Sequence, residues 1–386
     1  MSTLLLPQPD GRLLPYQVTG RPLEPISRAP ATSRIAYAAA HVVADPYADN
    51  TPGRPASLDW DATLGFRHHL WRNGLGVADA MDTAQRGMGL DWSTTAELIR
   101  RSAKEATTVG GALVCGVGTD QLAPGTYGIA DVLRAYEEQL AVVEDAGARA
   151  VIMASRQLAA TAAGPEDYVH VYDRLLGQAN GPVILHWLGP MFDPALAGYW
   201  GSSDLETATD TFVQIIGDRA AAVDGVKISL LAQDREVALR RRLPDGVRCY
   251  TGDDFNYPEL IRGDAAGHSD ALLGVFDPIA PAAATALAAL DAGDLAGYER
   301  AFASTVPLAR HAFCEPTFYY KTGIVFLAWL AGHQSHFTMV SGLQSARSLP
   351  HLARLFVLAD EAGLFPDPDL AASRMRALLS VAGGSG

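Results

Sequence analysis

Residues 224–254 read DGVKISLLAQDREVALRRRLPDGVRCYTGDD, and this stretch decides the fold. A short apolar run at 225–229 is followed by a charged, helix-forming stretch at 234–243 and then by a second apolar run at 247–251. Two parallel strands need a crossover connection, which a helix usually supplies. The stretch therefore predicts one strand–helix–strand unit of a parallel sheet.

The same alternation continues outward in both directions. Eight strands are predicted, at residues 34–41, 76–81, 112–117, 148–154, 182–187, 225–229, 247–251 and 271–275. Helical patterns lie between them, at 59–73, 94–107, 129–146, 165–178, 205–216 and 234–243. Eight successive units favour a closed (β/α)8 TIM barrel. An open dinucleotide-binding sheet is disfavoured because no GxGxxG sequence follows the first strand.

The end of the chain has a different pattern. From residue 282 onward it is purely helical, with helices predicted at 282–290, 297–311, 320–330, 351–362 and 368–379. We expect four regions, which are an irregular Pro- and Gly-rich N-terminal arm at 1–32, the barrel at 33–281, a helical C-terminal extension at 282–380 and a flexible tail at 381–386.

Composition excludes several classes of protein. Of the 386 residues 48% are hydrophobic, so a large core can form and global disorder is excluded. The net charge of −13 argues against a nucleic-acid partner, which needs a concentrated positive face. We expect a cytoplasmic protein without membrane contact, because no apolar run reaches the about 18 residues of a membrane span and no signal peptide is evident. The cysteines, Cys115, Cys249 and Cys314, have spacings that indicate neither disulfides nor a zinc site.

The basic residues single out one lysine. Of the 30 basic residues only three are lysines, namely Lys104, Lys227 and Lys321. Side chains alternate along a strand, so if Val226 and Ile228 face the helix layer, Lys227 points into the barrel. Burial favours its neutral amine, which can attack a carbonyl carbon and form a Schiff base. A structural ion pair with a carboxylate such as Asp253 is the alternative interpretation.

Two segments resemble the dihydrodipicolinate synthase/N-acetylneuraminate lyase group of class I aldolases. Gly225-Val226-Lys227 is similar to that group's G-[IV]-K motif on strand six, and Gly252-Asp253-Asp254 is similar to its Gly-Asp motif on strand seven. The resemblance covers roughly residues 58–340. It implies a TIM barrel, a Schiff base at Lys227, no cofactor and no metal, and a homodimer or homotetramer.

The chain departs from that pattern at two places. Where the family has a proton-relaying tyrosine after strand five, this chain has His186, which becomes the predicted proton shuttle. Where the family binds a 2-oxo acid carboxylate, this chain has Met81-Asp82-Thr83-Ala84-Gln85, and the charge of Asp82 would repel such a carboxylate. We therefore expect a small polar carbonyl substrate, sugar-derived rather than a 2-oxo acid.

The predicted site combines both arguments. Lys227 and His186 are the expected catalytic residues, and the expected substrate-binding residues are His41, Asp82, Thr83, Gln85, Gly252, Asp253 and Asp254. Two alternatives remain open. Carboxylates and histidines at several strand ends would also suit a metal-dependent sugar isomerase, epimerase or aldolase. A non-catalytic barrel that binds a metabolite is the third interpretation.

Overall fold

The chain starts with an antiparallel hairpin. The computed structural model describes residues 3–23 and 28–383, and its first strands are β1 (Thr3–Pro7) and β2 (Leu13–Gln17). The expectation of an irregular arm at 1–32 is therefore wrong for these residues. Glycine here does not mark irregular chain, since Gly11, with a φ of 83°, lies in the hairpin turn.

Eight parallel strands close into a barrel within the described part of the chain, as predicted. Their bounds are β3 (Ala36–Ala39), β4 (Gly76–Asp79), β5 (Leu113–Val117), β6 (Arg149–Ile152), β7 (Val183–Leu188), β8 (Val223–Ser229), β9 (Arg248–Thr251) and β10 (Asp270–Leu273). Each strand pairs with the next along the chain, and β10 pairs with β3 to complete the circle.

Helices follow the barrel strands and make up most of the C-terminal region. Their bounds are α1 (Trp60–Arg72), α2 (Trp92–Val109), α3 (Ile129–Asp145), α4 (Arg156–Thr161), α5 (Pro165–Gln178), α6 (Leu205–Asp218), α7 (Gln233–Arg240), α8 (Tyr257–Arg262), α9 (Ala280–Asp291), α10 (Leu295–Ala303), α11 (Thr305–Ala312), α12 (Tyr320–Leu330), α13 (Leu349–Glu361) and α14 (Pro368–Val381). The (β/α)8 barrel and the helical C-terminal region are thus confirmed. No helix of the described residues is long and apolar enough to cross a membrane.

One predicted helix is divided in two. The helix expected at 297–311 is interrupted between α10 and α11, at Ser304. Pro307 has no backbone N–H to donate to the carbonyl of Ala303, and its ring would clash with that carbonyl in a continuous helix. The proline explains why the chain starts a new helix here.

The chain forms two compact units that do not follow the linear boundaries expected at 33–281 and 282–380. One unit comprises residues 34–40 and 76–274, and therefore all eight barrel strands with helices α2–α8. The other comprises residues 1–33, 41–75 and 275–386, and therefore the hairpin, α1 and the C-terminal helices. Of the tail expected at 381–386, Val381 ends α14 and residues 384–386 lie outside the described residues.

The barrel interior is a packed apolar core. Alternate strand residues supply it, and they include Tyr37, Ala78, Val114, Val151, Ile184, Tyr250 and Leu272. Such filling is normal for an eight-stranded barrel, in which inward side chains stack in layers. His186 follows Ile184 by two residues on the same strand, so its side chain lies on the inward face, nearer the carboxyl end.

Candidate active site

Lys227 lies at the centre of the candidate site. On β8 it is paired in register with His186 of β7 on one side and with Tyr250 of β9 on the other. Only 6% of its surface is exposed. Burial lowers the pKa of its amine, while the negative charges of Asp82 and Asp254 act in the opposite direction. Within the described chain the amine has no hydrogen bond and no ion pair, so a structural salt bridge does not account for its presence.

Gly252 makes room for this lysine. A Cβ placed at Gly252 would lie 3.0 Å from Cε of Lys227 and would overlap the hydroxyl oxygen of Ser229. It would also lie 2.9 Å from the backbone oxygen of Ile228. The glycine of the Gly-Asp-Asp motif thus serves close approach between β8 and β9.

His186 forms a buried pair with Ser229. Its Nε2 lies 3.1 Å from the Ser229 hydroxyl, and Ser229 is two residues after Lys227 on the inward face of β8. Burial and the nearby charge of Lys227 hold the pKa of His186 well below its ordinary value, so the imidazole is neutral. Its Nδ1 is buried without a hydrogen-bond partner among the described residues. A neutral, unprotonated ring nitrogen is available to accept a proton.

The two aspartates of the Gly-Asp-Asp motif have different surroundings. Asp253 binds its own loop, since its carboxylate accepts hydrogen bonds from the backbone N–H groups of Phe255 and Asn256 and from the Asn256 side chain. Its expected role as partner of Lys227 or of substrate hydroxyls thus competes with these bonds. Asp254 is also buried, and its charge acts on Lys227.

A buried carboxyl group supports this loop from behind. Glu236 on α7 accepts hydrogen bonds from the hydroxyls of Thr251, at 3.0 Å, and Ser269, at 2.7 Å. Thr251 in turn accepts the backbone N–H of Asp253 at 3.1 Å. Burial raises the pKa of Glu236 to about 8. Sequence reasoning missed this chain of contacts because Glu236 belongs to a stretch dominated by charged residues.

The predicted substrate-binding residues after β4, Asp82, Thr83 and Gln85, differ in their exposure and in their contacts. Asp82, at the start of a single 3-10 turn (Asp82–Ala84), is partly exposed, and its carboxylate has no hydrogen bond within the described residues. Thr83 and Gln85 are 1% exposed. The Gln85 backbone adopts the left-handed conformation, and its side chain donates to the carbonyl of Met88 at 3.2 Å. Asp82 is therefore the open group of this segment, and Gln85 holds the turn.

Asp82 also lines a cavity of about 380 Å³. The cavity is formed at the carboxyl ends of β4 to β7, where barrel enzymes hold their substrates. Its polar lining comprises Asp82, Arg86, Thr119, Asp120, Ser155, Arg156, Gln157 and Asp193. Lys227 and His186 do not line it, but Asp82 belongs to both places, since it lines the cavity and its charge acts on the lysine.

The two arginines of this cavity are already paired. The Arg86 guanidinium donates to both carboxylate oxygens of Asp120, and Nη2 also donates to Gln139 at 2.7 Å. Burial alone would raise the pKa of Asp120, but Arg86 lowers it to about 2. Arg156 is paired with Asp193 through a single contact, from its Nε to one carboxylate oxygen. These pairs cannot be predicted from local sequence, because their members follow different strands.

His41 lies in the other compact unit and is fully buried. Its Nδ1 lies 2.8 Å from the Asp277 carboxylate, and its Nε2 lies 3.1 Å from the side-chain oxygen of Gln334. Both ring nitrogens are therefore occupied by neighbours in that unit. We leave His41 out of the proposed site.

The expected donors of a metal centre do not form a ligand cluster. Among the described residues, the histidines and carboxylates that follow the barrel strands do not approach one another in groups of three within 4.8 Å. The geometry at the strand ends therefore favours the lysine over a metal centre built from those side chains.

Comparison with known proteins supports the fold. A family model described as "Protein of unknown function (DUF993)" matches residues 4–384, and no curated protein sequence matches the chain. Dihydrodipicolinate synthase from Aquifex aeolicus is 13% identical, with a TM-score of 0.61 over 91% of this chain and 98% of that one. The Thermotoga maritima enzyme is 14% identical, with a TM-score of 0.64 over 86% and 100%.

A third solved structure carries a ligand. YagE, a prophage protein of the dihydrodipicolinic acid synthase family from E. coli K12, was solved in complex with pyruvate. It is 14% identical to this chain, with a TM-score of 0.64 over 86% of this chain and 99% of that one. At such identities the likeness concerns the fold, and it agrees with the resemblance found in the sequence.

Proposed function

The chain belongs to the DUF993 family, and we propose that it is a class I aldolase or lyase acting through a Schiff base at Lys227. The observation that carries the proposal is the lysine itself. It is buried, its pKa is lowered by that burial, and it has no hydrogen bond or ion pair within the described residues. Burying an amine without a partner lowers the stability of the fold, so its presence here favours a functional role. A neutral amine is the nucleophile that Schiff-base chemistry needs.

In the cleavage direction, the proposed reaction splits a β-hydroxy carbonyl compound into two carbonyl products. The Lys227 amine attacks the substrate carbonyl carbon, and loss of water leaves a protonated Schiff base. The bond between the α and β carbons then breaks, its electrons pass into the Schiff base to give an enamine, and the β-hydroxyl loses its proton to a base. Protonation of the enamine carbon and addition of one water release the second carbonyl product and the free amine.

His186 is the proposed base in place of the family's tyrosine. It is neutral because burial depresses its pKa, and its Nε2 lies 3.1 Å from the Ser229 hydroxyl. Ser229 follows Lys227 by two residues on the same face of β8. We infer that protons pass between substrate and His186 directly or through this hydroxyl, as a positioned side chain allows.

The cavity supports an uncharged, hydroxyl-bearing substrate. Its two arginines are neutralised by Asp120 and Asp193, which leaves the unpaired carboxylate of Asp82 as the excess charge. An anionic 2-oxo acid would meet repulsion there, whereas the carboxylate can accept hydrogen bonds from substrate hydroxyl groups. These features favour a sugar-derived carbonyl compound.

We also propose an oligomeric state and a cellular location for the protein. Family resemblance favours a homodimer or homotetramer, and composition favours the cytoplasm. Sedimentation of the purified chain at several concentrations tests the first, because a monomer at every concentration would contradict it.

Borohydride trapping tests the Schiff base. The purified chain is incubated with hydroxylated aldehydes and ketones, reduced with borohydride, and examined by intact mass and peptide mapping. We expect one adduct per chain, on the peptide that contains Lys227. Lys104, an exposed lysine, is the internal control and should remain unmodified. An adduct on another lysine, or none with a compound that the enzyme turns over, would reject the proposal.

A further inference from the structure

Three side chains of metal-binding types lie close together in the compact unit that contains the C-terminal helices, outside the proposed Schiff-base site. His311 and Cys314 lie at the end of α11, and His351 lies in the first turn of α13. One potential ligand atom of each lies within 4.8 Å of the others. The Cys314 Sγ is 3.9 Å from Nδ1 of His351, and tetrahedral zinc would need about 3.6 Å between such atoms. Zinc binding would bring these two atoms a few tenths of an ångström closer. It would also turn the imidazoles, which stack with ring centroids 4.2 Å apart and 21° between their planes, so that a nitrogen of each faces the ion.

Each imidazole has a ring nitrogen that can bind a metal ion. His311 Nε2 lies 3.0 Å from the backbone oxygen of His351 and donates to it, which leaves Nδ1 with its lone pair. Nδ1 of His351 faces the thiol, and its Nε2 is buried without a hydrogen-bond partner among the described residues. The carbonyl bond to His311 Nε2 is the kind of contact that fixes the tautomer of a metal-binding histidine.

A nearby arginine fixes the backbone of the segment that carries the thiol. Arg347 donates to the backbone oxygens of Cys314, at 2.7 Å, and Pro316, at 3.0 Å. The guanidinium is thus fixed on carbonyls, where it orients the segment that carries the thiol.

We propose that His311, Cys314 and His351 form a zinc site with one thiolate and two imidazole ligands. A water molecule completes the tetrahedron. Mixed sulfur and nitrogen donors select zinc over magnesium and calcium, which prefer oxygen. The thiol gives up its proton to solvent as the ion binds, so no oxidant or reductant is needed. The site would link the end of α11 to the start of α13.

Metal titration of the whole chain tests the site. The reduced, chelator-treated protein is titrated with Zn²⁺ against a chromophoric chelator, and with Co²⁺ while the thiolate-to-cobalt absorption is recorded. We expect one equivalent of each ion per chain. Cys314→Ser should abolish the thiolate band and weaken zinc binding at least about tenfold, and His351→Gln should also weaken it. His170→Gln, which changes an exposed histidine, is the matched control and should leave binding unchanged.

A second measurement needs no variant. Cys314 is partly exposed while Cys115 and Cys249 are buried, so iodoacetamide should modify Cys314 first. One equivalent of Zn²⁺ should slow this modification, as peptide mass spectrometry would record. Wild-type protein that binds no zinc, variants that bind it as well as wild type, or an unchanged rate of alkylation would each overturn the proposal.

Discussion

A Cβ at Gly252 would lie 3.0 Å from Cε of Lys227, so the backbone of β9 leaves space for the stem of the lysine on β8. Gly252→Ala should push Lys227 and Ser229 from their positions and lower the rate of borohydride trapping. We expect a loss of stability of about 1–3 kcal/mol from overpacking. Gly217→Ala is the matched control, since nothing lies within 4 Å of its Cβ. Equal trapping rates in the two variants would contradict this account.

Lys227→Arg should abolish turnover and leave the fold intact. Arginine keeps the positive charge and much of the volume, but its guanidinium does not lose its proton in proteins. We expect kcat to fall by several orders of magnitude and the melting temperature to change little. Lys104→Arg, at an exposed position, should change neither quantity. Turnover of Lys227→Arg near the wild-type level would exclude covalent catalysis by this lysine.

Ser229→Ala should slow proton transfer without preventing Schiff-base formation. The hydroxyl lies 3.1 Å from His186 Nε2, and acid–base groups contribute on the order of 10²-fold or more to rate. We expect a lower kcat, a changed pH profile and undiminished borohydride trapping. Ser229→Thr, which keeps a hydroxyl, should recover part of the rate. If Ser229→Ala lost trapping and turnover together, the serine would be positioning the lysine instead.

Asp82→Asn should change both the acidity of the lysine and the choice of substrate. The Asp82 charge raises the pKa of Lys227, so its removal should move the pH profile of trapping to lower pH. It should also improve binding of pyruvate, because the repulsion of a carboxylate is removed. Asp245→Asn, an exposed position, is the control. Tight pyruvate binding by the wild type that Asp82→Asn leaves unchanged would show that Asp82 does not select substrates.

Glu236 should make stability depend on pH. Its pKa rises from 4.5 to about 8 on burial, so the folded state holds a proton that the unfolded state releases. The stability from this group is complete below pH 4.5 and is lost as the pH rises through about 8. Denaturant unfolding at several pH values should therefore give a falling free energy over this range. Glu236→Gln imitates the protonated form and should flatten the fall, and an unaltered slope would contradict the assignment.

The sequence was informative where a local pattern decides the structure. Short apolar runs between helical stretches predict the barrel strands, and the alternation around Val226 and Ile228 correctly turns Lys227 inward. The hairpin of β1 and β2 is not predicted, because a Pro- and Gly-rich composition is typical of irregular chain, whereas Gly11 here lies in the turn.

Other features depend on contacts between distant segments. The approach of Ser229 to His186 requires the register between two strands, which no single strand encodes. The pairing of Arg86 with Asp120 joins two loops. Likewise, Cys314 follows α11 whereas His351 lies in α13, and the spacing of the cysteines alone does not indicate a metal site.

One of the two compact units combines segments that are synthesised at widely separated times. That unit takes residues from the beginning, the first fifth and the last third of the chain. Asp360 on α13 accepts hydrogen bonds from the Tyr16 hydroxyl and the Thr19 backbone, both at 2.7 Å, and α13 contacts β1. During translation, Leu4 and Leu6 can therefore be buried against α13 only after that helix has emerged from the ribosome, and until then the hairpin exposes apolar surface of the kind that promotes aggregation.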